Sequence, residues 1–202
     1  MDEQPTKRMI RSITDADVAQ LLVELRHDIP SAELRFKTDS WLQRCIGLIV
    51  RPFNPRYMTH YTTVMGGKIW LPSREFLQRR SAAWLYALIQ HEAVHLRDMR
   101  RFPVLFHVSY LLLLPTGITC RAYWEWRAYK ASLAAEYAIE GAISDEYIED
   151  IVERFAGPDY LYMWPFRTHI RRLARRERAR IVRYGGSNRP RRPLFSDQTT
   201  SE

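Results

Sequence analysis

Apolar positions in this chain fall on two different periods, and the changes between them divide it. Thr14 caps a predicted helix over 15–28, with Val18, Leu21, Leu22 and Leu25 on one face. Residues 38–51 predict a second helix. Trp41, Leu42, Cys45, Ile46, Ile49 and Val50 mark its apolar side, and Pro52 and Pro55 end it. The period then shortens. Residues 57–71, YMTHYTTVMGGKIWL, are β-branched and aromatic around Gly66-Gly67 and predict an antiparallel β-hairpin. After Pro72-Ser73 a short helix begins, and Ser81–Arg97 returns to helical spacing through Ala83, Leu85, Leu88, Ile89 and Val94. Further helices are predicted over 120–139, 144–155 and 168–184, and 185–202 has the composition of a disordered basic tail.

Between the helices at 81–101 and 120–139 lie nineteen uncharged residues, 102–120. That length suits a membrane span, but Pro103, His107, Pro115 and Gly117 interrupt it, so the expectation is a core connection and no transmembrane segment. The overall expectation is a mostly helical α+β fold with a small antiparallel sheet.

The helix at 81–97 carries the chemistry. His91-Glu92-Ala93-Val94-His95 reads H-E-x-x-H. Residues four apart stand one above the other on a helix, so His91 and His95 can offer two imidazole nitrogens to one metal ion. Glu92 lies beside that point, placed to take a proton from an attacking water. Catalytic zinc takes three protein ligands and keeps one position open. The next helix supplies a third candidate, Glu125, thirty residues after His95. Ala128 keeps the same face small enough for two helices to approach. Tyr129 and Arg121, each four residues from Glu125, are candidate partners for its carboxylate. If Glu125 does not serve, Glu136 and Glu140 follow on the same helix. Asp98 can orient His95 or pair with an Arg.

H-E-A-V-H followed by a helix bearing E-W-R-A-Y resembles the gluzincins, the zincins whose third ligand is a glutamate. The resemblance covers roughly residues 57–140. It implies a zincin-like fold, Zn2+ on His91, His95 and Glu125, Glu92 as general base, and hydrolysis of a protein or peptide substrate. One departure concerns the ligand's surroundings: many of these enzymes have Asp four residues after the third ligand, where this chain has Tyr129. A hairpin just before the histidine helix fits the same pattern, because its edge strand can pair with an extended peptide. Stabilising the oxyanion needs a further donor, and Tyr123, Tyr129, His107 and His169 all remain open.

Charge adds a separate picture. The 202 residues carry a formal net charge of +8. Residues 167–202 hold eleven Arg, no Lys and three acids, which accounts for all of it. The chain therefore divides into a neutral body, 1–166, an Arg-rich helix, 167–184, and a basic tail. Arg without Lys favours bidentate contact with phosphates. The alternative to an enzyme is a non-catalytic module whose residues 167–192 bind nucleic acid or an anionic membrane. Cys45 and Cys120 are too few for a disulfide framework and are expected as buried free thiols. With no apolar stretch of the secretory kind in MDEQPTKRMIRS, the expected compartment is cytoplasmic, with peripheral membrane association open.

Overall fold

A computed structural model describes residues 12–52, 54–106, 120–158 and 162–185. The elements among these residues are α1 (Asp15–Asp28), β1 (Leu34–Phe36), a 3-10 turn (Lys37–Asp39), α2 (Trp41–Val50), β2 (Thr63–Met65), β3 (Lys68–Leu71), α3 (Arg74–Gln78), α4 (Ala82–Arg101), α5 (Cys120–Glu140), α6 (Asp145–Ala156) and α7 (Arg167–Gly185). The fold is mostly helical with one small sheet.

Helix starts follow their caps. Thr14 and Asp17 form a reciprocal capping box at α1. The Ser40, Ser73, Ser81 and Ser144 hydroxyls accept from the backbone N–H three residues on, at α2, α3, α4 and α6.

The hairpin forms, but shorter than its apolar pattern. Residues 55–60 are turns, and only Thr63–Met65 and Lys68–Leu71 pair as antiparallel strands. Gly66 and Gly67 both have positive φ, 61° and 75°, as a two-residue hairpin turn requires. The expected all-antiparallel sheet is corrected by β1, which pairs in parallel with β3, Leu34 opposite Ile69. The order is β1-β3-β2. A three-residue strand is too short to show alternation, and its parallel partner lies beyond local sequence. The central strand carries the apolar weight, with Ile69 and Leu71 fully buried.

Two cores flank the paired helices α4 and α5. One joins Val18, Leu25 and Ile29 to Ile69 and to Ile89, Ala93 and Leu96 of α4. The other packs Leu133 of α5 against Ile148, Ile151, Val152 and Phe155 of α6 and Ile170, Ala174 and Ile181 of α7. The arginine-rich helix is thus built into a core through its thin apolar stripe and is not an appendage to the body.

Cys45 is exposed, against the expectation of a buried thiol. The reason is that α2 turns its apolar face outward. Gln43 and Gly47 are its buried residues, while Trp41, Leu42, Leu48 and Ile49 lie open to solvent. Tyr57 donates its hydroxyl to Gln43 Oε1 at 2.6 Å, and a Cβ on Gly47 would stand 2.7 Å from Met58 Cγ. This face seats only a residue without a side chain. Cys120 begins α5, and its side chain lies outside the described residues, as do residues 107–119, where the core connection was expected, and the tail from 186.

Candidate metal centre

Helices α4 and α5 pack together along His91, Val94, His95 and Asp98 on one side and Glu125, Arg127, Ala128 and Ala131 on the other. Ala128 is fully buried and clusters with Val94 and Ala131, so small side chains let the backbones approach. Arg127 forks onto Asp98, with Nε and Nη2 each 2.9 Å from a carboxylate oxygen. Asp98 therefore pairs with an arginine, but inside the structure, where it clamps the two helices.

His91, His95 and Glu125 converge here. One ligand atom from each lies within 4.8 Å of the other two. His91 Nε2 and His95 Nε2 stand 3.5 and 3.7 Å from Glu125 Oε2. A direct hydrogen bond prefers shorter separations. The edge of a zinc tetrahedron with bonds near 2.0–2.1 Å is roughly 3.3–3.4 Å. Two imidazole nitrogens and a carboxylate oxygen at nearly that spacing are a donor set suited to zinc. They form the one such cluster among the described residues.

Each ligand is held from behind. His91 Nδ1 lies 2.9 Å from Ser132 Oγ, whose hydroxyl in turn reaches the Ala128 carbonyl at 3.4 Å. With the hydroxyl proton directed to that carbonyl, Oγ accepts from Nδ1–H, and the Nε2 lone pair faces the cluster. Ser132 follows Glu125 by seven residues, two turns along the same face, which is the signal in sequence that could have found it. The Tyr129 ring meets His91 edge to face at 4.9 Å between centroids, so its body flanks a ligand. Arg121 Nε stands 4.0 Å from Glu125 Oε1. The His95 ring packs near Phe106, which in turn meets Trp124.

The two buried carboxyls are pushed in opposite directions. Burial raises the pKa of Glu92, beyond what the nearby His91 and His95 offset. Burial also acts on Glu125, but the His91 and His95 imidazoles hold it well below the ordinary carboxylate range. Burial opposes the charged form of His95, and Glu125, with Glu92 and Asp98 nearby, more than compensates and raises it. One carboxyl is thus a fixed anion and the other is poised to hold a proton, a division suited to one ligand and one acid–base group.

Lys37 was not singled out by any motif. It is fully buried, and its ammonium donates to the Tyr57 and Tyr61 carbonyls at 2.8 Å each while lying 3.7 Å from the Tyr57 ring centroid. Burial pulls its pKa down to about 7, with the charge of Glu92 acting against that. The 3-10 turn after β1 thus brings a cation into the electrostatic field of Glu92.

The remaining candidates fall elsewhere. His107 lies outside the described residues. His169 is exposed on α7 with its ring 5.8 Å from that of Trp164, and it makes no hydrogen bond, ion pair or ring contact with the cluster. Tyr123 is exposed and meets Trp124 and Arg127. Glu136 and Glu140, further along α5, do not join the cluster.

No protein-family model, curated protein or solved structure matches this chain. The functional reading rests on the side chains alone.

Proposed function

We propose that this protein is a zinc-dependent peptidase with a minimal zincin-like arrangement, in which His91, His95 and Glu125 hold the metal. The observation that carries the reading is the pair of nitrogen–oxygen separations, 3.5 and 3.7 Å, joining three residues from two helices. Bound zinc supplies Lewis acidity toward a scissile carbonyl and a water. Glu92 accepts the proton of the attacking water and returns it to the departing amine. Its buried carboxyl, biased toward the protonated form, suits the second of those transfers. A dication beside it lowers the same pKa and suits the first. Ser132 fixes the His91 ring, and Tyr129, whose ring touches a ligand, is the nearest of the oxyanion candidates. The edge strand β2, in contact with α4, offers main-chain groups to an extended protein or peptide substrate.

Two measurements test this. Metal analysis of the purified protein should give one zinc per chain, lost in His91→Ala, His95→Ala and Glu125→Ala. Glu92→Gln should keep the zinc and lose about 10²- to 10⁴-fold in peptide hydrolysis, because an amide cannot accept the proton. Full zinc occupancy in Glu125→Ala, or undiminished hydrolysis in Glu92→Gln, defeats the assignment.

A second reading keeps an observation of its own. Thr168, Arg171, Arg172, Arg175, Arg176 and Ala179 line a surface cleft of about 390 Å³. Arg171 is engaged by Glu149, but Arg172, Arg175 and Arg176 make no ion pair among the described residues. This favours a polyanion-binding role for α7, whether or not the metal centre is catalytic. No helix among the described residues is long and apolar enough to cross a membrane.

A further inference from the structure

Helix α2 presents an apolar surface that the rest of the described chain leaves open. Trp41, Leu48 and Ile49 are each about 70 % exposed, and Leu42 and Cys45 are exposed beside them. At 100° per residue these five side chains span about 120° of the helix circumference. Arg44 and Arg51, both exposed, border that arc on one side. The helix is fixed in this orientation by its other face, where Gln43 binds the Tyr57 hydroxyl and Gly47 abuts Met58. Turning the apolar side inward would require the Gly47 position to be refilled and the Gln43 bond to be broken. The outward face is therefore set by packing.

The surroundings are basic without exception. From Ser40 to Arg74 the chain has four arginines and one lysine, Arg44, Arg51, Arg56, Lys68 and Arg74, and no Asp or Glu. A second exposed apolar group, Phe102, Val104 and Leu105, again directly follows two arginines, Arg100 and Arg101.

We propose that α2 is a membrane-docking helix that lies in the headgroup region of an anionic phospholipid surface, with Trp41, Leu42, Leu48 and Ile49 in the acyl boundary and Arg44 and Arg51 at the phosphates. A tryptophan at one end, aliphatic side chains along one stripe and arginines at its edge are the features of a helix that lies in an interface. Charge complementarity selects the occupant. A second copy would set Arg44 and Arg51 against the same residues of its partner, and anionic lipid neutralises them. Size points the same way. A ten-residue helix is about 15 Å long. Its stripe falls short of the roughly 800 Å² that each partner buries in a stable protein interface. A lipid surface has no such threshold, because each inserted side chain contributes separately. This surface is distinct from the arginine cleft on α7 and does not depend on the metal centre.

The test uses the full chain with Cys120→Ser, so that an environment-sensitive fluorophore sits only on the exposed Cys45. Vesicles of phosphatidylcholine with phosphatidylglycerol should shift its emission to the blue and brighten it, and pure phosphatidylcholine should do so far less. Leu48→Glu combined with Ile49→Glu, both at exposed positions, should weaken vesicle binding about tenfold or more. Arg172→Glu with Arg175→Glu should leave the Cys45 signal in place. Four results overturn the proposal. One is a probe that stays in an aqueous environment when the protein binds vesicles. Another is vesicle binding that survives the α2 substitutions and disappears with those on α7. A third is a probe shielded before vesicles are added and released by dilution, which assigns the face to a second copy. The last is a probe shielded at every dilution, which assigns it to another segment of this chain.

Discussion

Ser132→Ala isolates the support of one proposed ligand without touching the ligands themselves. The substitution removes a single oxygen at a nearly buried position, leaving the packing of Val94, Ala128 and Ala131 in place. What is lost is the 2.9 Å contact to His91 Nδ1. A neutral hydrogen bond of this kind contributes about 0.5–1.5 kcal/mol. Freeing the ring to take either tautomer adds about RT ln 2, roughly 0.4 kcal/mol, against the form that presents Nε2. The His91 side chain is 15 % exposed, so water replaces the lost partner only in part. The sum is about 1–2 kcal/mol, or roughly a 5- to 30-fold rise in the zinc dissociation constant. That lies in the range found when the partner of a metal-ligating histidine is removed, about 10- to 100-fold. Competition against a chromogenic chelator measures it, and circular dichroism of the metal-free protein checks that the fold is kept. A Ser132→Ala dissociation constant within twofold of wild type would falsify the claim that Ser132 orients His91 toward a metal.

Two further outcomes follow from the buried groups. The unfolded chain holds the Lys37 proton to about pH 10.4, while burial in the fold brings its pKa down to about 7. Between those values the unfolded state binds more protons, so folding stability should climb with pH across pH 7–10. Urea titrations should show this rise in wild type and not in Lys37→Met, and parallel pH profiles for the two proteins would remove the buried-ammonium account. Ending the chain after Phe166 strips Ile170, Leu173 and Ile181 from the second core. At about 1.5–3 kcal/mol per large apolar side chain, that exceeds half the stability of an ordinary domain. The truncated protein should unfold at far lower urea or fail to fold, and a truncation as stable as the full chain would mean that α7 is dispensable to the core.

The metal ligands were legible in the sequence because their geometry is mostly local. A spacing of four on an uninterrupted helix puts His91 and His95 on one face whatever the fold around them. Glu125 needed one step more, a second helix returning against the first, and the small residue at Ala128 signalled where the two could meet. The Gly66-Gly67 turn was equally local, since positive φ at two successive residues favours glycine. Other features depend on which distant surfaces meet. The same apolar period that predicts α2 predicts a buried face, yet Gly47 and Gln43 fit Met58 and Tyr57 and turn that face to solvent. Strand β1 carries no alternation, and only the opposite strand gives it a register. Lys37 reads as a surface charge until two carbonyls and an aromatic ring from residues 57–61 close around it. The stripe Ile170, Leu173 and Ile181 is thin beside eight arginines on its helix, but burial against α5 and α6 outweighs their preference for water because the guanidinium groups stay at the surface. Periodicity fixes which residues share a face. Which face turns inward is decided by the best total burial across the whole chain, and that sum exists only in the tertiary structure.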